Sequence, residues 1–177
     1  ASDVYKRQDL VISPAAGVLN YGQGLFEGMK AQRASDGSIV LFRPDRNAKR
    51  AQEGALRLGM PPVPEEIFLD AVIKTVRENS RWVPPMGKGA LYIRPLLMGS
   101  GPILGVAPAP EYTFLVFTSP VGPYFKGGIT PTSLRVSERF HRAAPGGSGG
   151  VKAIGNYAPG MIPSKMAKKE GYSVIIY

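Results

Sequence analysis

The chain has 177 residues, of which 44% are hydrophobic and 20% are charged, and this balance predicts a folded domain and excludes a disordered chain. The absence of cysteine and the presence of one histidine, His141, exclude disulfides, a thiol nucleophile and a multi-histidine metal site. The formal net charge of +9 comes from scattered basic residues with one local cluster at 165–171, so we expect solvated surfaces and no nucleic-acid site.

The first 17 residues carry no targeting signal that we recognise. They lack an initiator Met, an apolar signal core and the Arg- and Ser-rich composition of a transit peptide, so we interpret them as an internal or processed start. No apolar run in the chain approaches the ~20 residues that a membrane helix needs. We therefore expect no interaction with a membrane.

The next segment predicts the beginning of a β-sheet. Residues 11–24 indicate a short strand and a turn, and the alternation of residues 25–34 predicts a second strand. The sequence ASDG at 34–37 is typical of a hairpin turn, and residues 38–42 predict the returning strand.

Two amphipathic helices are predicted to follow. Pro44 and Asp45 are start signals for the first helix, and Gly59 is its stop signal. Residues 64–80 predict the second helix. The residues expected on the buried faces are Ala48, Ala51, Ala55 and Leu58 in the first helix and Phe68, Val72 and Val76 in the second.

The second half of the chain predicts more strands and a change of composition. Residues 89–100 and 111–119 are apolar strand runs, and the Gly and Pro content of 120–128 indicates a linker or hinge. The remaining predicted elements are a strand at 132–140, a helix mainly from 163 to 171, and a buried strand at 172–177. Because a domain that ended inside a buried strand would expose an apolar edge, we interpret the chain as part of a longer protein.

Lys152 stands alone as a charged residue in the glycine-rich stretch GGSGGVKAIGNYAPG, residues 146–160. An amine that loses hydration has a lowered pKa, which suits Schiff-base chemistry with an aldehyde. The glycines would let a planar ring approach the backbone, and Tyr157 could donate to an oxygen of that ring. The alternative interpretation is an exposed lysine in a flexible loop, and spacing alone favours that alternative.

Arg50 and Arg94 are candidate anion-binding residues. The guanidinium of Arg50, in the first helix, suits a phosphate or a carboxylate, although solvation would explain most of the arginines there. Arg94 and Tyr92 are two residues apart on a predicted strand and therefore point to one face. They could bind a carboxylate together or form a paired charge in the core.

Three aromatic residues lie beside glycine-containing turns: Tyr21, Phe26 and Tyr124. This placement fits the wall of an aliphatic ligand pocket, although ordinary core packing is the more usual explanation. We interpret His141 as a surface or packing residue and expect no metal site.

Five spaced segments, in order, resemble the branched-chain amino acid aminotransferases, which are class IV pyridoxal-phosphate enzymes. They are LNYGQGLFEGMKA, LFRPDRNAKR, ALYIRPLLMGSGPILGVAPAPEYTF, SPVGPYF and GGVKAIGNYAP. The resemblance extends from about residue 10 to 177, and APAPEYTF and PGGSGGVKAIGNY are most similar to plant and some bacterial members.

The resemblance implies roles for individual residues. Lys152 matches the lysine that carries pyridoxal 5′-phosphate as a Schiff base, Tyr157 the tyrosine that hydrogen-bonds its phenolic oxygen, and Arg50 the arginine at its phosphate. The implied substrate site consists of Tyr92 near the substrate carboxylate, Arg94 near the glutamate side-chain carboxylate, and Tyr21, Phe26 and Tyr124 around the branched side chain.

The resemblance also implies the fold and the partners. We expect an α/β protein with the class IV aminotransferase fold, incomplete, with a small α/β domain at 1–122, a linker at 123–130 and the start of a large cofactor-binding domain at 131–177. The implied activity transfers the amino group of leucine, isoleucine or valine to 2-oxoglutarate in a homodimer. Further cofactor ligands are expected downstream, so these 177 residues alone should be inactive.

Two alternatives remain open from the sequence. One is another class IV enzyme, such as a D-amino acid aminotransferase or an aminodeoxychorismate lyase, which shares the lysine and the phosphate arginine. The other is a basic binding fragment without catalysis. The expected location is intracellular and soluble, in a plastid or mitochondrion if the plant-like resemblance holds and in the cytoplasm if the protein is bacterial.

Overall fold

A computed structural model describes residues 9–123 and 131–177 of the chain. Its main sheet has five strands: β1 (Gly24–Phe26), β2 (Met29–Arg33), β3 (Ile39–Leu41), β4 (Ala90–Gly99) and β5 (Tyr112–Val121). All described pairings in this sheet are antiparallel. The long strand β4 lies at the centre, with β5 along one edge and both β1 and β2 along the other.

The predicted strand at 25–34 is divided into β1 and β2 by Glu27 and Gly28. Phe26 pairs with Leu96 and Met29 pairs with Ile93, so the interruption lies opposite Pro95. Proline has no N–H to donate to a ladder, which explains a break at this point. The carbonyl of Pro95 still accepts a hydrogen bond of 2.9 Å from the amide of Glu27.

Helices α2 (Pro44–Arg57) and α3 (Glu65–Glu78) pack against the sheet and confirm the two helix predictions. The start at Pro44 and the end before Gly59, which has a φ of 65°, are as the signals indicated. The predicted faces are buried, except that Leu58 is only partly buried. The ring centroids of Phe68 and Phe114 are 5.7 Å apart, so α3 contacts β5 in the core.

Residues 11–24 do not form the predicted strand. The structure has a turn and a five-residue helix, α1 (Gly17–Tyr21), which ends at Gly22 with a φ of 64°. The side-chain amide of Asn20 donates to the carbonyls of Pro14 and Ala16, which stabilises the turn in place of a ladder.

The remaining elements follow residue 131. Helix α4 (Met161–Lys169) begins two residues before the predicted start at 163. Strands β6 (Leu134–Val136) and β7 (Val174–Ile176) form a parallel two-stranded sheet. The strand predicted at 172–177 forms as β7, but it is not buried as predicted. Helix α4 contacts this small sheet, and Val174 and Ile176 remain 41% and 45% exposed. In the described ranges, no helix is long and apolar enough to span a membrane.

Candidate active site

Lys152 lies beside β1 because the chain around it pairs with the strand edge that β4 leaves open. The amide of Phe26 donates a hydrogen bond of 3.2 Å to the carbonyl of Lys152, and Leu25 forms an isolated antiparallel bridge with Ala153. Ala153 is 4% exposed. A segment far along the chain is therefore attached to the first strand of the main sheet.

The amine of Lys152 lies beside two aromatic rings that contact each other. Its Nζ is 4.7 Å from the ring centroid of Phe26 and 5.8 Å from that of Tyr157. The two ring centroids are 4.8 Å apart. Lys152 and Tyr157 are both half-buried, so the amine is partly withdrawn from water and remains reachable by a ligand.

Arg94 also contacts the ring of Phe26. Its Cζ lies 4.3 Å from that ring centroid, and its Nη2 donates a hydrogen bond of 2.8 Å to the hydroxyl of Tyr92. The prediction that Tyr92 and Arg94 share one face of a strand is confirmed. Arg94 Nε is buried without a hydrogen-bond partner among the described residues, so it is a donor that a ligand could satisfy.

Gly28 gives the Tyr92 hydroxyl the room it occupies. A Cβ atom at residue 28 would lie 2.3 Å from that hydroxyl oxygen. The glycine in the break between β1 and β2 is therefore needed for the Tyr92–Arg94 hydrogen bond.

Arg50 forms an ion pair with Glu27 that the sequence analysis did not identify. Its Nε and Nη2 donate to the two carboxylate oxygens at 2.7 and 2.6 Å, and Asn47 Nδ2 donates to Oε2 at 2.8 Å. The hydrogen bond to Glu27 raises the pKa of Arg50 and outweighs desolvation, which lowers it; the charge of Glu27 and the proximity of Tyr157 add smaller contributions that raise it. In the sequence, the only indication that Glu27 is special is that it places a charged residue within an apolar strand pattern.

The other candidates lie elsewhere. Tyr21 is 42% exposed, and its hydroxyl donates to the carbonyl of Leu104. Tyr124 lies outside the described residues. Over residues 9–123 and 131–177, no group of acidic or histidine side chains could hold a metal ion. The structure thus brings Arg94, Lys152 and Tyr157 to the ring of Phe26. Tyr92 joins this group through Arg94, and Arg50 lies near Tyr157.

Comparisons with known proteins agree on one family. The chain is 62% identical over 166 residues to the chloroplastic branched-chain-amino-acid aminotransferase 5 of Arabidopsis thaliana, covering 94% of this chain and 40% of the relative. It is 60% identical over 169 residues to the chloroplastic branched-chain amino acid aminotransferase 2 of Humulus lupulus, covering 96% and 41%. By sequence, the chain is similar to the branched-chain aminotransferases.

The chain spans about two-fifths of the length of those relatives. The mitochondrial aminotransferase 1 of Humulus lupulus is 56% identical, with coverages of 96% and 43%. No protein-family model matches the chain.

Solved structures show the fold of this chain. The branched-chain aminotransferase of Thermoproteus uzoniensis with norvaline superposes with a TM-score of 0.76 at 24% identity, covering 93% of this chain and 53% of that one. The branched-chain amino acid aminotransferase of Escherichia coli gives a TM-score of 0.73 at 24% identity, covering 96% and 53%. The predicted class IV aminotransferase fold is confirmed.

Proposed function

We propose that the natural protein carrying this chain is a pyridoxal-phosphate-dependent transaminase that transfers the amino group of leucine, isoleucine or valine to 2-oxoglutarate. The observation that carries the proposal is the position of Lys152 Nζ beside the rings of Phe26 and Tyr157. The identity with plant branched-chain aminotransferases supports the same reaction.

The donor groups fit pyridoxal 5′-phosphate. Lys152 supplies a primary amine for the aldehyde, Tyr157 a phenol for the ring oxygen, and Arg50 a guanidinium for the phosphate. Arg50 uses Nε and Nη2 toward Glu27, which leaves Nη1 for a phosphate oxygen, and its side chain is 53% exposed. A Cβ atom at Gly150 or Gly155 would meet no described atom within 4 Å. Space is therefore open beside the backbone on both sides of Lys152.

The amine of Lys152 is the proposed acid–base group. When bound, pyridoxal phosphate would act as the electron sink for the substrate α-carbon. Lys152 Nζ would remove the proton from that α-carbon and, as the conjugate acid, return a proton during the transfer. The backbone hydrogen bond between Phe26 and Lys152 supports this role, because it holds the base of the lysine side chain beside β1.

Substrate binding is proposed to use Arg94 and Tyr92, and Arg94 contacts the ring of Phe26 as Lys152 does. The unpaired Nε of Arg94 and the hydroxyl of Tyr92 suit a carboxylate, including the side-chain carboxylate of glutamate. Phe26 would form part of the apolar wall for a branched side chain. Tyr21 and Tyr124 are proposed as further parts of that wall.

The proposal extends to the organisation of the protein. We assign residues 1–122 to a small domain, 123–130 to a linker and 131–177 to the beginning of a cofactor-binding domain. We further propose a homodimer located in a plastid or a mitochondrion. The location is supported by chloroplastic and mitochondrial relatives.

Borohydride reduction of the complete natural protein loaded with pyridoxal phosphate tests the assignment of Lys152. We expect peptide mapping to locate the pyridoxyl group on Lys152. Lys152→Ala should abolish both the adduct and the cofactor's absorbance at long wavelength. The matched control is Lys168→Ala, which changes an exposed lysine of α4 and should leave both unchanged. An adduct on another lysine of the wild-type protein would refute the assignment.

A panel of amino donors tests the substrate class. We expect leucine, isoleucine and valine to be preferred over D-alanine, with 2-oxoglutarate as the acceptor. Preference for a D-amino acid would contradict the proposed function and favour another class IV enzyme.

A further inference from the structure

Glu27 is a buried carboxylate to which the proposed chemistry assigns no step. It is 0% exposed and lies in the interruption between β1 and β2. Neighbouring residues of an extended segment point to opposite faces, so Glu27 points away from the face on which Phe26 contacts Arg94 and Lys152. Its side chain is directed to helix α2 instead.

All the described side-chain partners of Glu27 come from one face of α2. Asn47 and Arg50 are three residues apart in the helix and therefore neighbours on its surface. Arg50 binds both carboxylate oxygens in parallel, and Asn47 adds a donor to Oε2. Parallel hydrogen bonds of this kind fix the plane of the guanidinium as well as its position.

The ion pair is strongly asymmetric in its exposure. The Glu27 side chain is 1% exposed, and that of Arg50 is 53% exposed. Without this ion pair, a half-exposed arginine on a helix surface would sample many rotamers. Fixing its side chain in one rotamer when a ligand binds would then cost conformational entropy. The buried carboxylate is thus the fixed partner, and the guanidinium is the partner whose outer edge faces solvent.

We propose that Glu27 is a positioning residue that orients Arg50 so that its outer edge binds the cofactor's phosphate. This inference rests on the proposed function, because it takes pyridoxal phosphate as the ligand. Glu27 has two opposing effects on phosphate binding. Its negative charge would repel the phosphate, whereas its hydrogen bonds preorganise Arg50. The inference requires that the gain from preorganisation exceeds the repulsion.

The test compares pyridoxal 5′-phosphate with pyridoxal, which lacks the phosphate. Kd values for both are measured by equilibrium binding to the complete natural protein and to Glu27→Gln. A glutamine keeps the shape of the side chain, but its NH₂ group would face a guanidinium N–H of Arg50. An NH₂ group is a donor only and cannot accept a hydrogen bond from that N–H. We expect the preference for the phosphorylated ligand to fall by about tenfold, the lower end of what losing a supporting partner costs at metal sites. The Kd for pyridoxal should change little.

The ratio of the two Kd values separates positioning from general loss of structure. A merely structural role would weaken both ligands together and leave the ratio at its wild-type value, which would overturn the inference. An unchanged or increased preference for the phosphorylated ligand in Glu27→Gln would overturn it as well. Glu53→Gln is the matched control, because it makes the same change at an exposed position of α2, and its ratio should equal that of the wild type.

A second variant keeps the inference testable if Glu27→Gln does not fold. Glu27→Asp retains the buried charge but shortens the side chain by one methylene, so it cannot reach both Arg50 donors in the same geometry. We expect its Kd ratio to fall in the same direction, and a wild-type ratio would overturn the inference. Wild-type protein that binds neither ligand would contradict the proposed function itself, whereas normal wild-type preference that is retained in the Glu27 variants would contradict this inference alone.

Discussion

The amide nitrogen of Phe26 donates a hydrogen bond of 3.2 Å to the carbonyl oxygen of Lys152. This bond joins the first strand of the main sheet to the segment that carries the candidate catalytic amine. It holds the backbone of Lys152 beside β1, and the Lys152 Nζ lies 4.7 Å from the Phe26 ring centroid. The geometry around the lysine therefore depends on how closely the segment at 151–156 approaches β1.

Substitution of Gly24 should disturb this approach. A Cβ atom at residue 24 would lie 2.6 Å from Ile154 Cδ1 and 3.1 Å from the carbonyl oxygen of Leu97. We expect Gly24→Val to displace the segment and weaken pyridoxal phosphate binding by about tenfold, since displacements of about 1 Å at an active site are costly. The measurement is the Kd of the complete protein. Gly105→Ala, at a position with open space, is the control, and equal Kd values for both variants would contradict the prediction.

Gly28→Ala should act on substrate and spare the cofactor. The new methyl group would overlap the Tyr92 hydroxyl, which must move and lose its 2.8 Å hydrogen bond from Arg94. We expect the KM for 2-oxoglutarate to rise by about tenfold, with little change in the Kd for pyridoxal phosphate. Steady-state kinetics and cofactor titration measure the two quantities. Gly122→Ala, which introduces no close contact with a described atom, should change neither. A normal KM in Gly28→Ala would show that the hydroxyl position is unimportant.

Arg50→Ala should destabilise the protein by a route independent of the cofactor. It would leave the buried Glu27 carboxylate with Asn47 as its described side-chain donor. We expect a loss of about 1–3 kcal/mol in the free energy of unfolding, the usual cost of an unsatisfied buried group. Urea unfolding of the cofactor-free protein measures it.

The double variant provides the decisive comparison for this ion pair. Glu27→Gln added to Arg50→Ala removes the uncompensated charge, so part of the lost stability should return. Arg57→Ala, at an exposed position near the end of α2, should cost less than Arg50→Ala. A double variant that is less stable than Arg50→Ala would argue against an uncompensated charge as the cause.

Asp45 should contribute a pH-dependent part of the stability of α2. Hydrogen bonds from Arg43, opposed by desolvation, lower the pKa of Asp45 from 3.8 to about 2. A lowered folded-state pKa means that the stabilisation is present above pH 3.8 and is lost as the pH falls toward about 2. Wild type should therefore have a higher Tm than Asp45→Asn at pH 7, and the difference should disappear near pH 2. A difference that stays constant over this range would contradict the prediction.

Phe68 should be a major contributor to the core. It is 1% exposed and contacts Phe114 across the interface between α3 and the sheet. We expect Phe68→Ala to lower the free energy of unfolding by about 3–5 kcal/mol. The neighbouring Ile67→Ala, at a position 52% exposed, should stay within about 0.5 kcal/mol of the wild type. Similar losses in both variants, measured by urea unfolding, would contradict the assigned core.

Local sequence patterns were sufficient to predict the elements in which buried side chains recur at the period of a helix or a strand. Ala48, Ala51 and Ala55 recur at helical spacing, and the structure buries all three. Tyr92 and Arg94 share a strand face because that relationship needs only two residues of extended chain. The strand predicted within residues 11–24 did not form, and β7 formed without the predicted burial. Pairing and burial at these positions depend on which other segments provide cover.

The pair of Glu27 and Arg50 could not be derived in this way. The two residues are 23 positions apart, and their contact requires both the interruption opposite Pro95 and the placement of α2 beneath the sheet. A charged residue within a strand pattern indicates a special position but does not identify its partner.

The amino-acid sequence alone was enough to establish the two helices, the long strands β4 and β5 and the resemblance to the branched-chain aminotransferases, because these depend on local periodicity and on ordered motifs. Only the tertiary structure decided that Lys152 lies against Phe26 and that Arg50 is held by Glu27. The physical reason is that strand pairing and helix packing set the distances between residues far apart in the chain, and spacing along the sequence does not determine those distances.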